Sequence, residues 1–180
     1  MKSKSIYFLM IVMVVFVNCK NKKPIDSLEV ITPQPILSEI RVVLDMVVPK
    51  DDIFQIFYTV DGSSNFNEEM SVRVNITGSQ VSQSIVFEFP EDIIITRFRI
   101  DVGENSNQVP MQINKFTIHH FDKKFEAIGN EFYKYFTPAE QITFNNENSQ
   151  LTTKQIGERY DPIFYQTDYI LNVELEKIQN

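Results

Sequence analysis

One cysteine, no tryptophan, five glycines and two histidines occur in 180 residues, and each scarcity removes a class of function. A single thiol cannot form a disulfide within a monomer. Five glycines leave little backbone for a tight anion cradle, and the sequence holds neither a glycine-rich phosphate loop nor a His-Glu-x-x-His pair. His119 and His120 are adjacent; neighbouring side chains on a strand point to opposite faces, so both cannot reach one metal without a bulge. The lack of tryptophan removes a favoured stacking surface of binding sites. Alanine appears only at Ala127 and Ala139, while Ile, Val, Phe, Tyr and Thr are abundant. Helix propensity is therefore poor and strand propensity high.

The one cysteine is placed where chemistry can use it. Lys2 and Lys4 precede an unbroken apolar run from Ile6 to Val17, Cys19 follows, and Lys20, Lys22 and Lys23 come next. A basic start, an apolar stretch and then a polar boundary describe a targeting segment rather than part of a fold. The arrangement resembles bacterial lipoprotein signal peptides, whose processing leaves an acylated cysteine as the first mature residue. Val17 suits that pattern, whereas Phe16 and Asn18 are larger or more polar than the small residues usual before the cysteine. The resemblance implies lipid attachment at Cys19 and a location in the bacterial cell envelope, anchored to a membrane, with the periplasmic side of the outer membrane expected. An ordinary secretory signal and an uncleaved anchor are the alternatives. The first lacks a small-x-small cleavage triplet; for the second, the run is short of the roughly 20 apolar residues that span a bilayer.

The domain organisation follows: residues 1–18 as signal peptide, 19–37 as lipidated terminus and tether containing Pro24, Pro33 and Pro35, and 38–180 as one folded domain. The net charge of −7 becomes −9 once Lys2 and Lys4 are removed, and −12 beyond the Lys20, Lys22 and Lys23 cluster. So acidic a body is repelled by phosphate backbones, which argues against a nucleic-acid partner and against tight binding of anionic glycans.

From Ile40 the pattern turns to period two. Ile40, Val42, Leu44, Met46 and Val48 alternate with more polar neighbours up to Pro49, the mark of a half-buried strand. Ile53 to Val60 is apolar on both parities and predicts a central strand. Further strands are expected through Val72–Ile76, Ile85–Phe89 and Phe98–Val102. Met111 to His119 predicts another, with a bulge near Asn114 where the apolar parity slips. Phe121, Phe125, Ile128, Phe132 and Phe136 recur every three or four residues, broken by Gly129, and suggest short helical turns. A hairpin is expected around Asn145–Ser149, and a final strand through Tyr169–Leu175, with an amphipathic helix near Leu171–Ile178 as its alternative.

Short antiparallel strands with one apolar face each bury those faces against a second sheet, so the expected fold is all-β, an antiparallel β-sandwich with short helical turns. The runs Asp52–Tyr58 and Thr96–Asp101, and the later Gly157–Pro162 turn, look like the paired strands and closing turn of galactose-binding-like jelly rolls, which also occur beside envelope polysaccharide proteins. That resemblance implies a jelly roll and contact with carbohydrate.

No residue set assembles a catalytic centre, a metal site or a cofactor site. The best polar constellation is Arg97, Arg99 and Asp101 on the outward parity of their strand, expected to face a neighbouring strand carrying Arg73 and Asn75. Planar guanidinium groups donate to sugar hydroxyls, and Tyr58, with Tyr133, Tyr135, Tyr160 and Tyr165, offers rings for stacking. The competing reading of this stripe is a solvated sheet face laced with weak ion pairs. The leading functional expectation is thus a non-catalytic envelope lipoprotein, membrane-bound through its anchor, that binds envelope polysaccharide or an envelope protein. A structural or assembly subunit is the second expectation. A hydrolase using loop carboxylates such as Glu68 with Glu69, or Glu91 with Asp92, is the third.

Overall fold

The computed structural model describes residues 40–180. Cys19, the signal segment and the tether lie outside them. Two antiparallel sheets carry the fold. The first runs in the order β4 (Ser79–Glu88), β1 (Ile40–Val48), β6 (Met111–His120), β10 (Gln150–Thr153), β9 (Ile142–Asn145), with β7 (Lys123–Ile128) also on β6. The second runs β3 (Ser71–Ile76), β2 (Asp52–Thr59), β5 (Arg97–Val102), β11 (Ile163–Gln166), β8 (Phe136–Pro138). Between the sheets lies a core whose largest fully buried side chains include Phe54, Phe87, Phe98, Phe116, Phe132, Phe136 and Phe164. The protein is an all-β sandwich.

Alternation built these strands as expected. Every second residue of β1 is buried, and Phe98, Ile100 and Val102 of β5 face inward while Arg97, Arg99 and Asp101 do not. The bulge falls at Asn114: Asp45 pairs with Lys115 and Met46 with Ile113, leaving Asn114 without a partner across the ladder. That extra residue lets Met111 and Ile113 share the core with Phe116 and Ile118, although their parities differ. The runs Asp52–Tyr58 and Thr96–Asp101 do pair, as β2 with β5.

Two expectations need correction. The Phe121–Phe136 stretch begins as a strand, β7, before the helical turns at Gly129–Glu131 and α1 (Phe132–Tyr135). In β7, Phe125 and Ala127 point inward between Lys124 and Glu126, a period-two signal masked by the three- and four-residue spacing of the phenylalanines. Tyr169–Leu175 is not a strand; the helical alternative holds as α2 (Ile170–Gln179), which buries Leu171, Leu175 and Ile178 at i, i+4 and i+7. The strand of this region is β11, four residues long and too short to show a period. Among the described residues no helix is long and apolar enough to cross a membrane.

Candidate functional site

Register decides what surrounds the polar stripe of β5. Arg97, Arg99 and Asp101 lie opposite Thr59, Phe57 and Gln55 of β2, while Arg99 and Asp101 lie opposite Tyr165 and Ile163 of β11. Directly opposed residues share a face of the sheet. A single row therefore crosses all five strands on the outer face, from Ser71 through Phe57, Arg99 and Tyr165 to Thr137. The expected direct neighbour strand bearing Arg73 and Asn75 is instead one strand further away, because β2 stands between β3 and β5. Arg73 reaches this face through Gln55, donating to its Oε1 at 3.0 Å.

The three residues of the stripe differ in what they have left to offer. Arg99 donates to Asp101 through Nε at 2.8 Å and through its terminal nitrogen at 2.5 Å, and its guanidinium lies 4.3 Å from the centre of the Phe57 ring. Two of its donors and one flat face are thus engaged within the sheet. Burial holds the Asp101 carboxyl above its ordinary range, and the bonds from Arg99 offset only part of that rise. Arg99 and Asp101 thus form a closed pair on the sheet surface, a structural clasp over Phe57.

Arg97 is different. It forms an ion pair with Asp168, and the two side chains are 21 % and 81 % exposed respectively. Among the described residues Asp168 is its only hydrogen-bonded side-chain partner, so most of its five donors remain for solvent or ligand. It sits in an open groove of about 480 Å³ between the Ser64–Phe66 loop, the strand residues Thr137 and Tyr165, and Asp168 in the turn after β11. Phe66 and Tyr165 give this groove two aromatic side chains, and Tyr165 is 45 % exposed. The loop is pinned from below, because the Thr59 hydroxyl donates to the carbonyl of Ser63 at 2.9 Å and Gly62 N–H donates to Thr96 Oγ1 at 2.9 Å. Guanidinium donors, threonine hydroxyls and aromatic edges around a shallow groove suit a ligand with many hydroxyls and an apolar face.

The other nominated rings do not join it. Tyr58 is a correction: it is buried, edge-on to Phe89 with ring centres 5.3 Å apart, because it shares the inward parity of Phe54 and Ile56. Tyr133 stacks on Phe144, Tyr135 meets the edge of Phe125, and the Tyr160 hydroxyl donates to Thr153 Oγ1 at 2.8 Å. Burial raises the Tyr133 hydroxyl well above its ordinary range, so it stays protonated. Phe66 was not legible as a site residue from sequence: it stands alone between Asn65 and Asn67, and only the fold brings it into the groove that Tyr165 also lines.

A second hollow, of about 500 Å³, lies beside Asp51, Asp52, Asn75 and Glu104. Its buried carboxylate is committed. Asp52 accepts from the backbone N–H of Ile53, Glu104 and Asn105 at 2.9, 2.7 and 3.0 Å and from Gln108 Nε2 at 2.9 Å, which fastens the loop after β5 to the start of β2. Among the described residues no three His, Cys, Asp or Glu side chains are grouped to hold a metal ion. His120 Nδ1 lies 2.8 Å from the carbonyl oxygen of Ile178, so that nitrogen carries a proton and donates it. Comparisons with protein-family models, curated proteins and solved structures return no match.

Proposed function

We propose that the protein is a lipid-anchored, non-catalytic component of a bacterial cell envelope whose sandwich makes weak, metal-independent contact with envelope polysaccharide at the Arg97 groove. The observation that carries the reading is the exposed Tyr165 in the same groove as a guanidinium whose single side-chain partner among the described residues is a solvent-exposed carboxylate. An ion pair whose carboxylate partner is 81 % exposed contributes little to stability, about 0–1 kcal/mol, so a ligand can take up the Arg97 donors at little cost. The short runs that resemble galactose-binding-like jelly rolls support a sugar as ligand; that support is an analogy of fold. Shallow relief and the absence of tryptophan point to weak binding.

Two measurements test the proposal. In a titration with cell-envelope polysaccharide, amide shifts are expected at Arg97, Tyr165 and the Ser64–Phe66 loop, and Arg97→Ala is expected to abolish them while leaving the melting temperature nearly unchanged. Shifts confined to other loops would move the site, and no shifts would favour the structural-subunit reading. For the anchor, Cys19→Ser removes the thiol that accepts a lipid, and the protein is expected to pass from the membrane fraction to the soluble one. More than one acyl chain is needed for stable attachment, each buried CH₂ adding about 0.8 kcal/mol. A mature N-terminus without acyl mass on Cys19 would refute the anchor.

A further inference from the structure

The tip of the β6–β7 hairpin is the least conventional surface of the fold. Its two-residue turn is Phe121–Asp122, and Phe121 adopts φ +51° with its side chain 68 % exposed. Glycine is the residue that takes a positive φ in such turns without steric cost. A large aromatic residue held there touches the fold through the His120 ring, with ring centres 4.6 Å apart, and otherwise faces water outside the core. Strain kept at an exposed position is a pointer to function.

Its position in the fold says what it meets. Ile40, the first residue of β1, pairs directly with His120, the residue before Phe121. The Ile40 carbonyl accepts from Phe89 N–H at 3.2 Å, and the β4–β5 connection that follows carries Ile94, also 68 % exposed. The chain therefore comes into the sandwich at the end that displays Phe121 and Ile94. Only residues 20–39 separate Cys19 from Ile40, which bounds the distance from the anchoring sulfur to that end at about 70 Å even when fully drawn out. We infer that this end faces the lipid surface and that Phe121 enters the interface between headgroups and acyl chains. The inference rests on the anchoring proposed for Cys19.

Charge identifies the interaction as apolar. Lys123 and Lys124 stand beside the tip, but Asp122, Glu91 and Asp92 are exposed at the same end, and Lys124 is paired with Glu126 at 2.9 Å. The end is no basic patch, so attraction to anionic headgroups does not drive the contact. One ring and one isoleucine are too little to hold a free domain at a bilayer. They suffice to orient a domain that an anchor already keeps at an effective concentration on the order of millimolar.

The absence of tryptophan makes the test direct. The lipidated full-length mature protein carrying Phe121→Trp is reconstituted in vesicles of phosphatidylethanolamine and phosphatidylglycerol with brominated acyl chains, after the acyl mass on Cys19 has been confirmed. Val81→Trp is the control, an exposed position on β4 near Ser79, which pairs with Val48 at the far end of β1. At position 121 we expect a blue-shifted emission and a roughly twofold loss of intensity from bromine at interfacial depth, with position 81 unaffected and neither altered by high salt. Emission at 121 no more quenched than at 81 would overturn the orientation alone and leave the anchor standing. Absence of acyl mass on Cys19 would overturn both.

Discussion

Replacing Phe98 by alanine is expected to cost about 3–5 kcal/mol, the range for removing a buried aromatic ring that leaves a cavity. Phe98 is fully buried on the inward face of β5, edge-on to Phe89 with ring centres 5.8 Å apart, and Phe89 in turn meets Tyr58. Its backbone N–H is held by Gln166 Oε1 at 2.9 Å, so the main chain cannot move inward freely to fill the void. For a domain of this size the melting temperature falls roughly 3 °C per kcal/mol, and a drop of about 10 °C is expected. Arg97→Ala, one residue away on the opposite face, should leave it nearly unchanged. Equal losses from the two would mean that the faces of β5 are reversed.

Gly78→Ala is expected to be the second most damaging of the single changes considered. A Cβ at Gly78 would lie 2.6 Å from Lys50 Cα, 2.7 Å from Lys50 C and 2.8 Å from Asp51 N. All three are backbone atoms, so no side chain can swing aside. The same glycine donates its N–H to Asp51 Oδ1 at 2.7 Å, and relieving the clash by moving the turn apart would break that bond. Overpacking of this kind costs about 1–3 kcal/mol, more when backbone must shift. Gly62→Ala provides the comparison: φ is +77° but nothing lies within 4 Å of its added Cβ, so the penalty is conformational and about 1 kcal/mol. Denaturant midpoints for the two variants check the order, and Gly62→Ala proving the worse would refute the close approach of the two turns.

The strands that alternate over six or more residues could be read directly from the sequence, because burial on one face imposes period two. β1, β5 and the Asn114 bulge are of this kind. What escaped were short or doubly periodic segments. Four residues, as in β11, cannot display a period, and β7 overlaps a spacing of phenylalanines that suits a helix equally well. Leu171, Leu175 and Ile178 fit a helix, yet Leu171, Val173 and Leu175 also fit a strand, and only packing against β6 and β7 decides between them. At the site, outward parity placed Arg97, Arg99 and Asp101 together on one face. It could not show that Arg99 and Asp101 bind each other, because side-chain reach along a strand is invisible to pattern. Nor could it show that Tyr58 turns inward, since a strand apolar on both parities gives no preferred face. Phe66 and Tyr165, about a hundred positions apart, line one groove only because β11 lies beside β5 and the loop after β2 folds over the same face.

The bulge at Asn114 has a consequence for how the chain reaches this state. β6 is bordered by β1 along its whole length on one side and by β10 and β7 on the other, so three strands take their alignment from it. A β6 paired with β1 in uninterrupted register beyond Asn114 would turn Phe116 and Ile118 toward water, while slipping by one residue would expose Met111 and Ile113 instead. Only the bulged alignment buries all four. Asn114 therefore acts as a register lock, and its setting must wait until everything from β2 to β5 has been looped out between β1 and β6. Closing so long a loop is slow, so the β1–β6 seam is expected to form late in folding, with β6 the strand against which β1, β7 and β10 are aligned.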